Sequence, residues 1–178
     1  MPIPLRIGIS SCLLGDEVRF DGGHKRAPFL IDTLGPLVEW VRVCPEVEVG
    51  MGVPREPLRL LRIGGDIRMI TTRTGVDHTD RMRAFAARRT TELEALGLRG
   101  YVLKQDSPSC GMARVKVFDT AGEEPIRNGV GIYAAILQER FPALPIEEEG
   151  RLQDPLLLEN FIERVIAYDR LLARRNHV

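Results

Sequence analysis

Three cysteines, Cys12, Cys44 and Cys110, are the residues of this chain best suited to chemistry. A thiolate is both a nucleophile and a soft metal ligand. Each cysteine stands just past a short apolar run: residues 6–10 before Cys12, 40–43 before Cys44, and 100–104 before Cys110, the last with Ser107-Pro108-Ser109 between. If these runs are parallel strands, their carboxyl ends share one edge, where open α/β sheets bind ligands. Thiols far apart in sequence then converge. Three convergent thiolates suit a metal ion or an iron–sulfur cluster. The chain has no short Cys-x-x-Cys spacing, which excludes a zinc ribbon. With no clear fourth protein ligand, one coordination position stays open. An open iron is a Lewis acid for a sulfur-bearing substrate; zinc with three cysteines and a water is the alternative. A single buried cysteine is an ordinary small hydrophobe. The shared position after strands is what argues for a site.

Other candidates cluster around the same segments. Glu46 lies two residues past Cys44, where a carboxylate serves as general acid or base. Ser107 and Ser109 flank Pro108 in the turn before Cys110, placed to orient a polar ligand or to cap a turn. Asp21, Lys25 and Arg55 lie in the loops that follow the first two cysteines and suit an anionic or heterocyclic ligand. His24, His78 and His177 show no metal-ligand spacing with the cysteines. Gly129-Val130-Gly131 is not a dinucleotide fingerprint.

The elements that must position these residues alternate. Strands are expected at 6–10, about 40–44, 100–104, 114–118 and 144–146. Two more, 58–63 and 67–72, flank Gly64-Gly65-Asp66 as a hairpin. Helices are expected at 28–40, interrupted by Gly35-Pro36, and at 131–141. A long one follows Asp77-His78-Thr79, with Asp77 or Thr79 as N-cap and Gly97 at its end. Its buried stripe is Met82, Phe85, Ala86, Leu93 and Leu96. A last helix over 155–175 turns Leu156, Leu157, Phe161, Val165, Ile166 and Leu171 inward. Segment 46–57, with two glycines and two prolines, reads as a loop. Alternating strands and helices predict a single α/β domain over 1–178. It has three layers and a mainly parallel sheet, Rossmann-like or flavodoxin-like.

Lysine and arginine total 25, as do aspartate and glutamate, so no overall charge recruits nucleic acid or an anionic membrane. No run is long enough to span a bilayer, and residues 1–6 hold no secretory h-region. A cytoplasmic location is expected. There, spaced cysteines signify metal or catalysis rather than disulfides.

Three motifs in these segments resemble a known family. They are Ser11-Cys12-Leu13-Leu14-Gly15 with Val18-Arg19-Phe20-Asp21-Gly22 and Lys25; Cys44-Pro45-Glu46-Val47 with Gly50-Met51-Gly52-Val53-Pro54-Arg55; and Leu103-Lys104 with Ser107-Pro108-Ser109-Cys110-Gly111. Residues 159–164 resemble it too. The family was long called domain of unknown function 523 and includes bacterial thiouracil desulfidases. Phe20 and Met51 stand where its pattern has Tyr and Leu. The resemblance implies a 4Fe-4S cluster held by Cys12, Cys44 and Cys110, with one iron not ligated by protein. It implies non-redox desulfuration of a small thiolated base or nucleoside such as 2-thiouracil, releasing uracil and hydrosulfide. Glu46 and Ser107, with Ser109 as competitor, map onto the family's catalytic acid and serine.

Two other readings fit the residues alone. One is a non-catalytic iron–sulfur or zinc module that senses redox state or carries sulfur. The other is a metal-free thiol enzyme with Cys110 as nucleophile.

Overall fold

The computed structural model describes residues 4–175; His177 and the first three residues lie outside them. The elements are β1 (Leu5–Ser10), α1 (Pro28–Leu34), β2 (Val38–Val43), α2 (Pro45–Glu48), β3 (Leu58–Ile63), β4 (Asp66–Thr71), α3 (Thr79–Leu96), β5 (Gly100–Leu103), β6 (Val115–Asp119), β7 (Ile126–Gly129), α4 (Ile132–Arg140), β8 (Ile146–Glu148) and α5 (Pro155–Arg175).

The fold is α/β, and its main sheet has the order β2-β1-β5-β8 with every pairing parallel. Alternation along β5 divides the core. Tyr101 and Leu103 pack on one face with Met82, Phe85 and Leu93 of α3 and Tyr133 and Leu137 of α4. Val102 points to the other face, joining Ile7, Ile9, Leu30 and Leu34 with Phe161 and Val165 of α5. Burial on both faces is what a parallel sheet needs. Close packing also fixes Gly8, where an added Cβ would lie 2.3 Å from the Tyr101 ring.

A second sheet, β4-β3-β6-β7, goes beyond the sequence expectation of one sheet. Its outer pairs are antiparallel and its central pair is parallel. Gly64 and Gly65 join β3 to β4 with φ of 57° and 84°. That left-handed two-residue turn folds the strands into a hairpin, so they cannot both enter a parallel array. Strand β7 is not visible in the sequence pattern: three of its four residues are exposed.

Element boundaries follow local chemistry. Helix α1 ends at Leu34, a 3-10 turn spans 35–37, and β2 starts at Val38, earlier than expected. Pro36 has no N–H to extend the helical ladder. The supposed loop after Cys44 opens with one helical turn, α2, whose first residue is Pro45, a favoured proline position. Helix α3 ends at Gly97 in the left-handed conformation, as expected. Its N-cap is His78 without a side-chain cap, and the Asp77 carboxylate accepts the Thr79 N–H at 2.9 Å. Leu96, Leu156, Ile166 and Leu171 are exposed rather than inward. In α5 only Phe161 and Val165, one turn apart, are fully sealed into the core. Among the described residues no helix is long and apolar enough to cross a membrane.

Candidate functional site

Strands β2, β1 and β5 are neighbours in one parallel sheet, so their carboxyl ends deliver Cys44, Cys12 and Cys110 to one edge. All three are free thiols and line a single cavity of about 280 Å³.

Each cysteine is held by its backbone. Cys12 sits in a 3-10 turn (Ser11–Leu14) closed by Gly15, and its carbonyl accepts the N–H groups of Gly15 and Lys25 at 3.2 and 2.9 Å. The Cys44 N–H donates to Glu48 Oε2 at 2.8 Å, while Glu48 Oε1 accepts from Arg89 of α3 at 3.0 Å. The Cys110 N–H donates to Ser107 Oγ at 3.0 Å. Helix α4 steadies this last loop from behind. The Ile132 and Ala134 N–H groups donate to the carbonyls of Pro108 and Ser109 at 3.1 and 3.0 Å, and Gly131 donates to Gly111 at 2.8 Å. These are donors that a helix start leaves without intrahelical partners. A Cβ on Gly131 would lie 2.5 Å from the Ser109 carbonyl, so only glycine fits. The Gly129-Val130-Gly131 segment therefore anchors the cysteine loop.

Glu46 and Arg55, both lining the cavity, form a buried ion pair. Arg55 Nε and Nη2 reach Glu46 Oε2 at 2.7 and 2.6 Å, with side-chain exposures of 8% and 13% for Arg55 and Glu46. Ser109 Oγ donates to Glu46 Oε1 at 2.8 Å. The two serine oxygens lie 3.0 Å apart. Since the Ser109 proton goes to a carboxylate, Ser107 is the donor between them. Ser107 Oγ also accepts the N–H groups of Ser109 and Cys110. Ser107 thus shapes the loop, and Ser109 touches the carboxylate.

Lys25 lines the cavity. Asp21 does not: it is exposed, and its carboxylate accepts the Gly23 N–H at 2.9 Å, which holds it below the usual carboxylate range. His24 and His78 are also absent from the lining. Three further contributors went unassigned in the sequence. Lys104 lines the wall and pairs with Glu149 at 2.8 Å. Ser10 is buried and accepts the Lys104 N–H at 3.0 Å, tying the β1 edge to the β5 edge. Arg19 also lines the cavity. Ser10 and Lys104 end the very strands that lead to Cys12 and Cys110, so applying the strand-end rule to every residue type would have found them.

Burial raises all three thiols above their ordinary values. Cys12 is pushed up to about 11, with Arg19 and Lys104 pulling the other way. Cys44 and Cys110 are raised for the same reason, and Cys110 is raised further by both other thiols. Among the described residues, no three His, Cys, Asp or Glu side chains gather tightly enough for one metal ion. A single zinc needs sulfurs about 2.3 Å from one centre. The donor set is soft, three-sulfur and flanked by cations. Soft thiolates of this kind suit an iron–sulfur group.

These features define a class: an α/β protein whose parallel sheet presents three thiols, an acid–arginine pair and a serine to one cavity. Residues 7–149 match the 2-thiouracil desulfurase family, and the chain belongs to it. Among solved structures, it is similar to a 4Fe-4S-dependent thiouracil desulfidase, TudS, with a TM-score of 0.67 and 30% identity, covering 88% of this chain and 98% of that one. It is also 32% identical over 136 residues to the uncharacterised protein YbbK of Bacillus subtilis strain 168, covering 74% of this chain and 88% of YbbK.

Proposed function

We propose that this protein replaces the sulfur of a small thiolated pyrimidine, such as 2-thiouracil, with oxygen from water. One C=S bond breaks, one C=O bond forms, and sulfur leaves as hydrosulfide; no electron is gained or lost. Cys12, Cys44 and Cys110 would hold a 4Fe-4S cluster with one iron free of protein ligands. When bound, that cluster supplies a Lewis acid for the soft sulfur of the substrate. A single domain carries the whole activity, in the cytoplasm, where thiols stay reduced.

The single observation that carries this reading is the meeting of Glu46, Arg55 and Ser109 on the wall that the three thiols also line. Arg55 occupies Glu46 Oε2, and Oε1 is left to accept from Ser109. A carboxylate on the cavity wall serves as a general base for water. Glu46 takes a water proton and returns it to the departing sulfur, and the second water proton is released to solvent as the C=O bond forms. Ser109 steers Oε1 and the ring, and Ser107 holds Ser109. The cavity of about 280 Å³ would have to hold the cluster as well as the reacting ring, and it is already at the small end of ligand sites, which start near roughly 300 Å³.

The test is anaerobic purification, reconstitution with iron and sulfide, metal counts, and an assay of 2-thiouracil conversion to uracil. About four irons per chain with turnover supports the reading. A loaded cluster without turnover favours a redox-sensing or sulfur-carrying module. Turnover by colourless, iron-free protein favours thiol chemistry at Cys110.

A further inference from the structure

Ser10 ends β1, the middle one of the three strands that lead to the cysteines. Strand alternation decides which way it points. Ile7 and Ile9 belong to the core face that also holds Cys12. Gly8 faces the other way, since a Cβ there would lie 2.3 Å from the Tyr101 ring. Ser10 shares the side of Gly8, and the core on that side holds Tyr101, Leu103 and Cys110. The Ser10 hydroxyl is therefore delivered to the edge of the sheet on the Cys110 side, and both residues line the cavity.

A hydroxyl carries one donor and two acceptor sites. Ser10 is 3% exposed, and its Oγ accepts the Lys104 N–H at 3.0 Å. No oxygen among the described residues accepts its proton, while a buried donor in a native structure has an acceptor. Burial raises the Cys110 thiol, and a hydrogen bond from the Ser10 side chain pulls the other way. Ser109 Oγ lies 3.9 Å from the same sulfur, but its proton is committed to Glu46 at 2.8 Å. Against the same burial, Cys44 has a backbone hydrogen bond at Val47, and Cys12 has the charges of Arg19 and Lys104.

We propose that the Ser10 hydroxyl donates to the Cys110 sulfur, so that Ser10 is a positioning residue that draws charge from one ligand of the cluster while its oxygen ties the β1 edge to the β5 edge. This rests on the reading of the three thiols as cluster ligands. A proton donated to a ligating sulfur favours the more negative, reduced form of a cluster, and for that reason hydrogen bonds to sulfur set reduction potentials. It also leaves the metal a stronger Lewis acid for a substrate sulfur.

The test uses the full chain, reconstituted with iron and sulfide without oxygen, and reads the cluster directly. Wild type, Ser10→Ala, Ser10→Thr and Ser10→Cys are compared by iron content, by midpoint potential, and by electron–nuclear double resonance of the reduced cluster in heavy water. Ser10→Ala should move the potential to more negative values and lose one exchangeable-proton signal. Ser10→Thr keeps the hydroxyl and should hold both at wild type. Ser10→Cys, with a weaker donor, should move the potential the same way by a smaller step, and it decides the matter if Ser10→Ala does not load. A loaded Ser10→Ala or Ser10→Cys with the wild-type potential overturns the assignment, as does a Ser10→Ala that keeps every exchangeable signal. A role confined to tying the strand edges would show as faster amide exchange at Lys104 with the potential unmoved, and it too overturns the assignment. A shifted potential with no turnover of 2-thiouracil by wild type keeps Ser10 and removes the desulfidase reading; turnover with an unmoved potential does the reverse. Wild type that takes up no cluster overturns both.

Discussion

Ser109 and Glu46, 63 residues apart in the chain, meet at 2.8 Å, the serine hydroxyl donating to the carboxylate. This contact joins the edge of β5 to the first turn after β2, and it separates the roles of two neighbouring serines. Ser109→Ala should keep the cluster and lower kcat about ten- to a hundredfold, the loss of one orienting hydrogen bond. Ser107→Ala removes the acceptor for two backbone N–H groups. It should reduce iron content and cost about 1 kcal/mol of stability. Iron counts and kcat of the two variants, measured side by side, check the division.

Arg55 should matter to stability as well as to rate. Removing one partner of a buried pair strands the other charge, at a cost of about 3 kcal/mol. Arg55→Met should therefore unfold at a clearly lower temperature than wild type. Arg55→Met with Glu46→Gln should recover part of that loss, because no charge is stranded. Thermal unfolding of the four proteins as a double-mutant cycle measures the coupling. Additive effects would rule out a direct pair.

Alkaline pH should destabilise the cluster-free protein. Burial raises Cys12 from an ordinary 9.0 to about 11. Between those values the folded chain holds a proton that the unfolded chain has lost, so stability is full below pH 9 and falls as pH rises toward 11. Urea midpoints across this window should decline, and Cys12→Ser should flatten the decline. Cys110, Tyr101 and Tyr133, also raised by burial, leave a residual slope.

At the acid end, Asp77 is the group to watch. Burial opposes its charge, yet hydrogen bonds from Arg68 and Thr79 hold it down to about 2. Its contribution is complete above its ordinary 3.8 and is lost as pH falls through about 2. With the Asp77 side chain 38% exposed, Asp77→Asn should cost only about 0.5–1 kcal/mol at pH 7. The gap to wild type in thermal unfolding should close near pH 2.

Gly131→Ala tests the anchor behind Cys110. The new methyl would displace the Ser109 carbonyl from 2.5 Å. Iron loading should fall while the far-ultraviolet circular dichroism stays native. Normal loading would show that the loop tolerates the shift.

Convergence of the thiols is legible in the sequence because strand ends and cysteines coincide, and a parallel sheet has one carboxyl edge. The hairpin is legible from Gly64-Gly65. Its separation into a second sheet is not, because pairing partners such as β3 and β6 are remote in sequence and no periodicity records them. Strand β7 is hidden for a simpler reason: an exposed strand has no apolar alternation. At the site, Glu46 stands out by its neighbour Cys44, and Arg55 by its motif. Which serine touches Glu46 is set by loop geometry, through N–H bonds that side-chain types do not encode. Asp21 shares a motif with Arg19, but the turn at Gly22 and Gly23 points its carboxylate into its own backbone.

The order of synthesis has a bearing on this site. Strand β1, made first, is the middle of the three cysteine strands, flanked by β2 and by β5. The third thiol emerges much later, and the backbone of its loop is tied down by the start of α4. A nascent chain therefore exposes Cys12 and Cys44 well before their companion has a fixed place. The site that the three thiols line is therefore complete only once residues up to 134 have been made.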